Sequence, residues 1–97
     1  MTSSGPAIIA LIIEALSDGG LSGGLPKILS EELIMEMILG TIILIKENQL
    51  TPSELKNLVT SPGGTTISAL RVLEKKSVRS ALIESIVSAS NRSKEFR

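Results

Sequence analysis

The sequence predicts an all-α fold of about five helices. Its longest apolar runs do not alternate with polar residues as half-buried strands do, and they are longer than most strands. Proline and glycine punctuate the chain at places where helices commonly begin and end. Because 97 residues make one small domain, we expect a single helical domain over residues 1–97.

The first helix is predicted from residue 6 to about residue 18. Pro6 suits its first turn, where the missing N–H of proline removes no helical hydrogen bond. Gly19 and Gly20 predict its end. Leucine and isoleucine cover nearly its whole circumference, which is typical of a helix that is buried on all sides.

The second helix is longer and is predicted from residue 26 to about residue 48. It follows a break at Gly23 and Gly24, and Pro26 opens it. Gly40 lies in its middle, where glycine costs about 1 kcal/mol relative to alanine. Interior helix glycines more often mark packing than function, so Gly40 predicts the close approach of another helix. A functional glycine is the alternative.

Three further helices are predicted over residues 52–59, 66–75 and 78–94. Thr51 and Glu54 flank Pro52 and its neighbour as a capping box, in which each side chain accepts a main-chain N–H of the other. A catalytic Glu54 is the alternative. Ser77 is predicted to cap the last helix, and the charged residues 91–97 predict a solvated, fraying end.

The chain is more apolar than a small soluble monomer needs. Apolar residues make up 42% of it, and its mean hydropathy is +0.33. We therefore expect the surplus to be covered by another chain or by a membrane. The apolar runs 6–16 and 33–45 contain Glu14 and Glu36 and are shorter than the roughly 20 residues of a membrane span. Both are predicted to be buried core helices.

Composition excludes several classes of function. Ten basic and ten acidic residues give a net charge of zero, which provides no electrostatic reason to expect nucleic acid or an acidic membrane surface. Without cysteine or histidine, the chain has neither thiolate nor imidazole for metal sites, and no histidine base. Phe96 is its one aromatic residue. The first six residues lack the basic segment of a signal peptide, so we expect a cytoplasmic protein.

The most informative segment is Thr-Ser-Pro-Gly-Gly-Thr-Thr at residues 60–66, which leads into a helical pattern. A glycine-rich turn before a helix leaves N–H groups unpaired at the positive end of the helix dipole. Such a place suits a small anion, either phosphate or carboxylate, and threonine hydroxyls can add hydrogen bonds. The alternative is an ordinary loop with a threonine cap.

This order of motifs resembles the C-terminal domain of pyrroline-5-carboxylate reductase over essentially the whole chain. The motifs are Ser-Gly-Pro-Ala at 4–7, Asp-Gly-Gly at 18–20, Gly-Leu-Pro at 24–26, Thr-Ser-Pro-Gly-Gly-Thr-Thr-Ile at 60–67, Leu-Arg-Val-Leu-Glu at 70–74, Ala-Leu-Ile-Glu at 81–84 and Arg-Ser-Lys-Glu at 92–95. Short pieces such as Gly-Leu-Pro carry little weight alone. The string at 60–66, together with the other motifs, is specific for this family.

The resemblance implies a function and a site. Enzymes of this family reduce pyrroline-5-carboxylate to L-proline with NADPH or NADH, and their helical domains interlace into homodimers that often build larger rings. The family's Ser-Pro-Gly-Gly-x-Thr loop binds the substrate carboxylate. On this chain, the resemblance assigns substrate binding to Ser61, Gly63, Gly64, Thr65 and Thr66, and it places the Thr66 hydroxyl at the ring nitrogen as a catalytic group.

The chain also departs from the family pattern. It has no G-x-G-x-x-G turn after a strand, so the Rossmann cofactor domain is missing and no cofactor is expected to bind this chain alone. Its start at Met1 suggests an excised domain or a truncated gene. Ile8 replaces a frequent aromatic residue, and Gln49 stands where some members carry a glutamate. Two functions remain: the dimerisation and substrate-binding part of a reductase, or a stand-alone helical dimerisation module without activity.

Overall fold

The computed structural model describes residues 3–60 and 64–93 and places five α-helices there. The described residues contain no strand. The helices are α1 (Gly5–Ser22), α2 (Lys27–Glu47), α3 (Pro52–Thr60), α4 (Gly64–Lys75) and α5 (Val78–Ser93). The predicted all-α class and the number of helices are confirmed. Of the predicted fraying end at 91–97, residues 91–93 belong to α5, and residues 94–97 lie outside the described residues.

The helices form two compact units. The N-terminal hairpin, Ser3–Leu50, consists of α1 packed against α2. The C-terminal unit begins at Thr51 and contains α3, α4 and α5, with α4 in contact with both of the others. Each unit is a helical assembly in its own right, and a single domain over residues 1–97 stays a prediction.

Helix α1 continues through Gly19 and Gly20, so the predicted end at these two glycines is wrong. The physical reason is packing on α2. A Cβ added to Gly20 would collide with the Ser30 hydroxyl, and Leu25 Cδ1 would lie 3.3 Å from it. Gly20 is therefore a contact point between two helices, and the glycines that terminate α1 are the next pair, Gly23 and Gly24.

A Schellman motif ends α1. Gly24 has a φ of 102°, a conformation that glycine adopts without strain. Its N–H donates to the Leu21 carbonyl at 2.9 Å, and the Leu25 N–H donates to the Gly20 carbonyl at 3.0 Å. These are the two hydrogen bonds that define the motif.

The same motif ends α2, without a glycine. Gln49 has a φ of 52°, its N–H donates to the Lys46 carbonyl at 3.4 Å, and the Leu50 N–H donates to the Ile45 carbonyl at 3.0 Å. Non-glycine residues pay a steric penalty in this left-handed conformation. The position at which some family members carry a glutamate is thus a helix terminus in this chain.

The predicted capping box at the start of α3 is confirmed. The Glu54 N–H donates to Thr51 Oγ1 at 3.1 Å, and the Thr51 N–H donates to Glu54 Oε1 at 2.8 Å. Both side chains thus satisfy N–H groups that the first turn of a helix leaves unpaired. This role accounts for the glutamate.

Ser77 joins α4 to α5 at the predicted position, in a left-handed conformation with a φ of 62°. Its carbonyl accepts the Ala81 N–H at 3.0 Å, the first hydrogen bond of α5, and its own N–H donates to the Glu74 carbonyl at 3.1 Å. One residue therefore ends the first helix and begins the second.

Within the described chain no apolar side chain is fully buried, and the buried residues are Ser17 and Ser30. Leu11 is 64% exposed and Ile42 is 47% exposed. The prediction that runs 6–16 and 33–45 are buried core helices is therefore wrong for a single chain. The reason is that a two-helix hairpin can cover only one face of each helix.

One helix of the described part, α1, is long and apolar enough to cross a membrane by those two criteria. It has 18 residues and a mean hydropathy of 1.3. Core helices of soluble proteins satisfy the same criteria, and α1 carries Glu14 and Asp18. The expected absence of a membrane partner stays a prediction.

Candidate functional site

The predicted anion site lies at the start of α4. The helix begins at Gly64, two residues before the predicted start at Thr66, because Gly64 and Thr65 already adopt helical conformation. The N–H groups of residues 64–66 thus belong to the first turn, which has no helical acceptors and carries the positive end of the dipole. Ser61 and Gly63 lie outside the described residues.

This helix start is open to a ligand. Gly64 and Thr65 are exposed and Thr66 is half-buried. Among residues 3–60 and 64–93, and apart from its chain neighbour and the backbone of α4, no heavy atom lies within 4 Å of the position that a Cβ on Gly64 would take. Thr65 and Thr66 stand at the second and third positions of α4.

A basic face extends from this site along α4, and sequence reasoning missed it. Ser68, Arg71 and Lys75 follow Gly64 at intervals of three or four residues and line one surface hollow with it. Arg71 is about 10 Å from Gly64 along the helix axis, at 1.5 Å per residue. Helical spacing from the glycine was the signal that would have identified this positively charged surface.

An ion pair marks the opposite end of α4. Arg79 Nη2 lies 2.7 Å from Glu74 Oε2, and Arg79 Nε donates to the same carboxylate at 3.1 Å and 3.3 Å. The hydrogen bond from Arg79 lowers the pKa of the Glu74 carboxyl, and the charge of Lys56 on α3 adds to this effect. The pair links α4 to α5 at their corner, about 15 Å along the axis from Gly64.

The N-terminal hairpin has a polar hollow of its own between α1 and α2. Glu14, Asp18, Lys27 and Glu31 line it together with Leu11 and Ala15. Three carboxylates around one lysine give this surface a negative charge. Among the described residues, no group of three or more carboxylates is arranged to hold a metal ion.

Comparison with known proteins gives a consistent family. A model of the pyrroline-5-carboxylate reductase dimerisation domain matches residues 1–96. The pyrroline-5-carboxylate reductase of Synechocystis is 50% identical over 96 residues, which cover 99% of this chain and 36% of that protein. The Escherichia coli enzyme of the same name is 36% identical over the same shares of the two chains.

Solved structures agree. The structure of Plasmodium falciparum pyrroline carboxylate reductase with NADP bound superposes with a TM-score of 0.89 at 35% identity, over 95% of this chain and 35% of that one. A Coxiella burnetii pyrroline-5-carboxylate reductase gives 0.86 at 41% identity, over 95% and 34%. The chain spans about a third of the length of these relatives. It belongs to the family of pyrroline-5-carboxylate reductase dimerisation domains.

Proposed function

We propose that this chain is the self-associating and substrate-binding third of a pyrroline-5-carboxylate reductase. Such an enzyme reduces pyrroline-5-carboxylate to L-proline with NADPH or NADH. The observation that carries the proposal is the open first turn of α4, which presents three N–H groups within the family's most specific motif. A cytoplasmic location fits this role.

The substrate carboxylate would lie at the start of α4. The N–H groups of Gly64, Thr65 and Thr66 would donate to its oxygens, and Ser61 and Gly63 complete the loop by family resemblance. Hydrogen bonds to a charged group contribute about 1.5–3 kcal/mol each, so two or three of them are sufficient to orient a small ligand. The basic face with Arg71 and Lys75 would favour the approach of an anion.

Thr66 has a second task in this proposal. Its hydroxyl would hydrogen-bond the ring nitrogen, which accepts a proton when the imine is reduced. The side chain is half-buried at the third position of α4, and a hydroxyl held in a helix has few orientations. The nicotinamide supplies the hydride to the imine carbon.

The cofactor would be held by the part of the enzyme that this chain lacks. The described residues contain no strand and hence no strand-to-helix glycine turn of the kind that holds a pyrophosphate. The Plasmodium falciparum relative was solved with NADP bound, and this chain covers 35% of it. We therefore expect the 97-residue chain to be inactive alone and not to bind the cofactor.

Self-association follows from the exposed apolar surface of the hairpin. A second copy that covered α1 and α2 would form an obligate, hydrophobic interface of over about 2,000 Å², as a homodimer or within a larger ring. Leu11→Asp or Ile42→Asp would then abolish both the dimer and the fold, because no stable folded monomer is expected. A substitution at a truly solvent-exposed position would usually change the free energy of unfolding by no more than about 0.5 kcal/mol. Glu32→Ser is the polar control. A folded monomer of either aspartate variant would contradict the proposal.

A chimera tests the enzymatic role. The chain replaces the matching 96-residue segment of the Synechocystis enzyme, and oxidation of NADPH or NADH is followed with pyrroline-5-carboxylate as substrate. We expect L-proline as the product. A chimera that is folded and dimeric but inactive, beside an active parent enzyme, would instead support the stand-alone dimerisation module.

Variants of the chimera test the site. Gly64→Val should raise KM at least about tenfold because the valine side chain would crowd the substrate carboxylate. A tenfold change corresponds to about 1.4 kcal/mol of binding free energy. Thr66→Val should lower kcat, and Thr66→Ser should restore it. L-Proline should inhibit the chimera and L-prolinamide, which lacks the carboxylate, should not. Equal inhibition by both compounds would exclude a carboxylate site.

A further inference from the structure

Gly40 is a helix-interior glycine for which this chain provides no structural reason. It lies in the middle of α2, in ordinary helical conformation, so no positive φ requires glycine there. Apart from its chain neighbours and the backbone of its own helix, no heavy atom of the described residues lies within 4 Å of the position that its Cβ would take. The helix nevertheless forgoes the stabilisation that alanine would supply at this position.

Gly20 provides the internal comparison. It is also a helix-interior glycine, and there the chain itself fills the space of the missing side chain with Ser30 and Leu25. The close approach of α2 explains that glycine. The sequence predicted the same arrangement for Gly40, and within the described chain the approaching helix is not present.

The surface around Gly40 is largely apolar. Leu33 and Ile43 lie on the same face of α2, at helical spacing from the glycine on either side, and each is 45% exposed. Leu44, four residues after Gly40, is also 45% exposed. Met37, three residues before the glycine, is 52% exposed, and Glu36 is the charged residue beside it. The glycine therefore makes a shallow notch in a largely apolar face.

We propose that Gly40 marks the point at which a helix of a second copy of this chain crosses α2. The proposal rests on the self-association proposed above and adds the place of closest approach. The chain belongs to a dimerisation family, which identifies the partner as a second copy. The distance between packed helices depends on the side chains at their contact, and glycine permits the shortest distance.

The test compares two substitutions at this position in the 97-residue chain. The dimer dissociation constant is measured by sedimentation equilibrium, and helicity is measured by circular dichroism. Gly40→Leu should raise Kd by about tenfold or more, because a side chain must fit where two backbones meet. Gly40→Ala should also raise Kd, although alanine favours the helix. Gly19→Ala is the control, since Gly19 is helical, exposed and equally open, and lies next to Asp18 near the end of α1.

The sign of the alanine effect decides the outcome. If Gly40 faces solvent, Gly40→Ala raises the thermal midpoint and leaves Kd unchanged, as expected for Gly19→Ala; the crossing point is then refuted and self-association stands. If the unmodified chain is a folded monomer at all concentrations, both proposals fail. Should Gly40→Leu fail to fold, the alanine variant alone gives the answer, because alanine does not disrupt an α-helix.

Discussion

The hydroxyl of Ser30 on α2 donates a 2.7 Å hydrogen bond to the main-chain carbonyl oxygen of Ser17 on α1, and both serines are buried. This contact joins residues thirteen positions apart and links α1 to α2. It requires glycine at position 20, since any side chain there would meet the Ser30 hydroxyl. The most buried contact of the hairpin is thus between two serines, while isoleucines such as Ile12 and Ile34 are half-buried and many of its other large apolar side chains are exposed.

The first prediction concerns Gly20. Gly20→Ala should destabilise the chain by about 1–3 kcal/mol, because the added methyl group displaces Ser30 and presses on Leu25. Helix propensity alone predicts the opposite, a gain of about 1 kcal/mol. Gly19→Ala measures the effect of helix propensity alone, because a Cβ at position 19 would meet open space. Urea unfolding at fixed protein concentration measures both; equal stabilisation by the two changes would refute the contact.

A second prediction separates the two serines. Ser30→Ala should cost about 1 kcal/mol through the lost hydrogen bond to Ser17. Ser17→Ala should be neutral or stabilising, since the Ser17 hydroxyl is buried and has no hydrogen-bond partner among the described residues. Each variant removes one hydroxyl oxygen from the parent chain, so their thermal unfolding can be compared directly. A larger loss for Ser17→Ala would mean that its hydroxyl has a partner.

The third prediction uses the two Schellman motifs. Gln49→Gly should stabilise the chain by up to about 1 kcal/mol, because glycine relieves the left-handed strain at the end of α2. Gly24→Gln should destabilise it by at least about 1 kcal/mol, because the same exchange is made in reverse at a φ of 102°. Chemical unfolding of both variants provides the comparison. A destabilising Gln49→Gly would show that the glutamine side chain has a stabilising contact of its own.

The fourth prediction is a pH dependence at the corner of α4 and α5. Arg79 holds the pKa of Glu74 below its ordinary value, so the folded state binds the glutamate proton less tightly than the unfolded state does. The stability from this pair is therefore fully present above the unfolded pKa of about 4.3 and is lost as the pH falls through the lower folded pKa.

Glu74→Gln is the matching variant, because it removes the titrating group and keeps the shape. The stability difference between the parent chain and Glu74→Gln should shrink as the pH is lowered, and added salt should shrink it at neutral pH because the pair is exposed. A difference that is constant from pH 7 to pH 3 would contradict the assigned cause. Chemical unfolding across this pH range is the measurement.

Part of the site was predictable from sequence and part was not. The glycine and threonine string marks a helix start by local chemistry alone, and the structure places Gly64, Thr65 and Thr66 in the first turn of α4. Arg71 and Lys75 join that surface only through helical periodicity over three turns. Their assignment therefore required the exact start of the helix, which local propensity defines least well.

Features that depend on neighbours within a few residues could be predicted from the sequence alone. These are the five helices, the prolines in or next to the first turns of α1, α2 and α3, the capping box of Thr51 and Glu54, and the motif order that identifies the family. Tertiary structure decided where α1 ends, because the approach of Ser30 to Gly20 is a contact between two helices. It also decided that the apolar faces of the hairpin remain exposed in one chain. Burial depends on what packs against a surface, and local sequence does not contain that information.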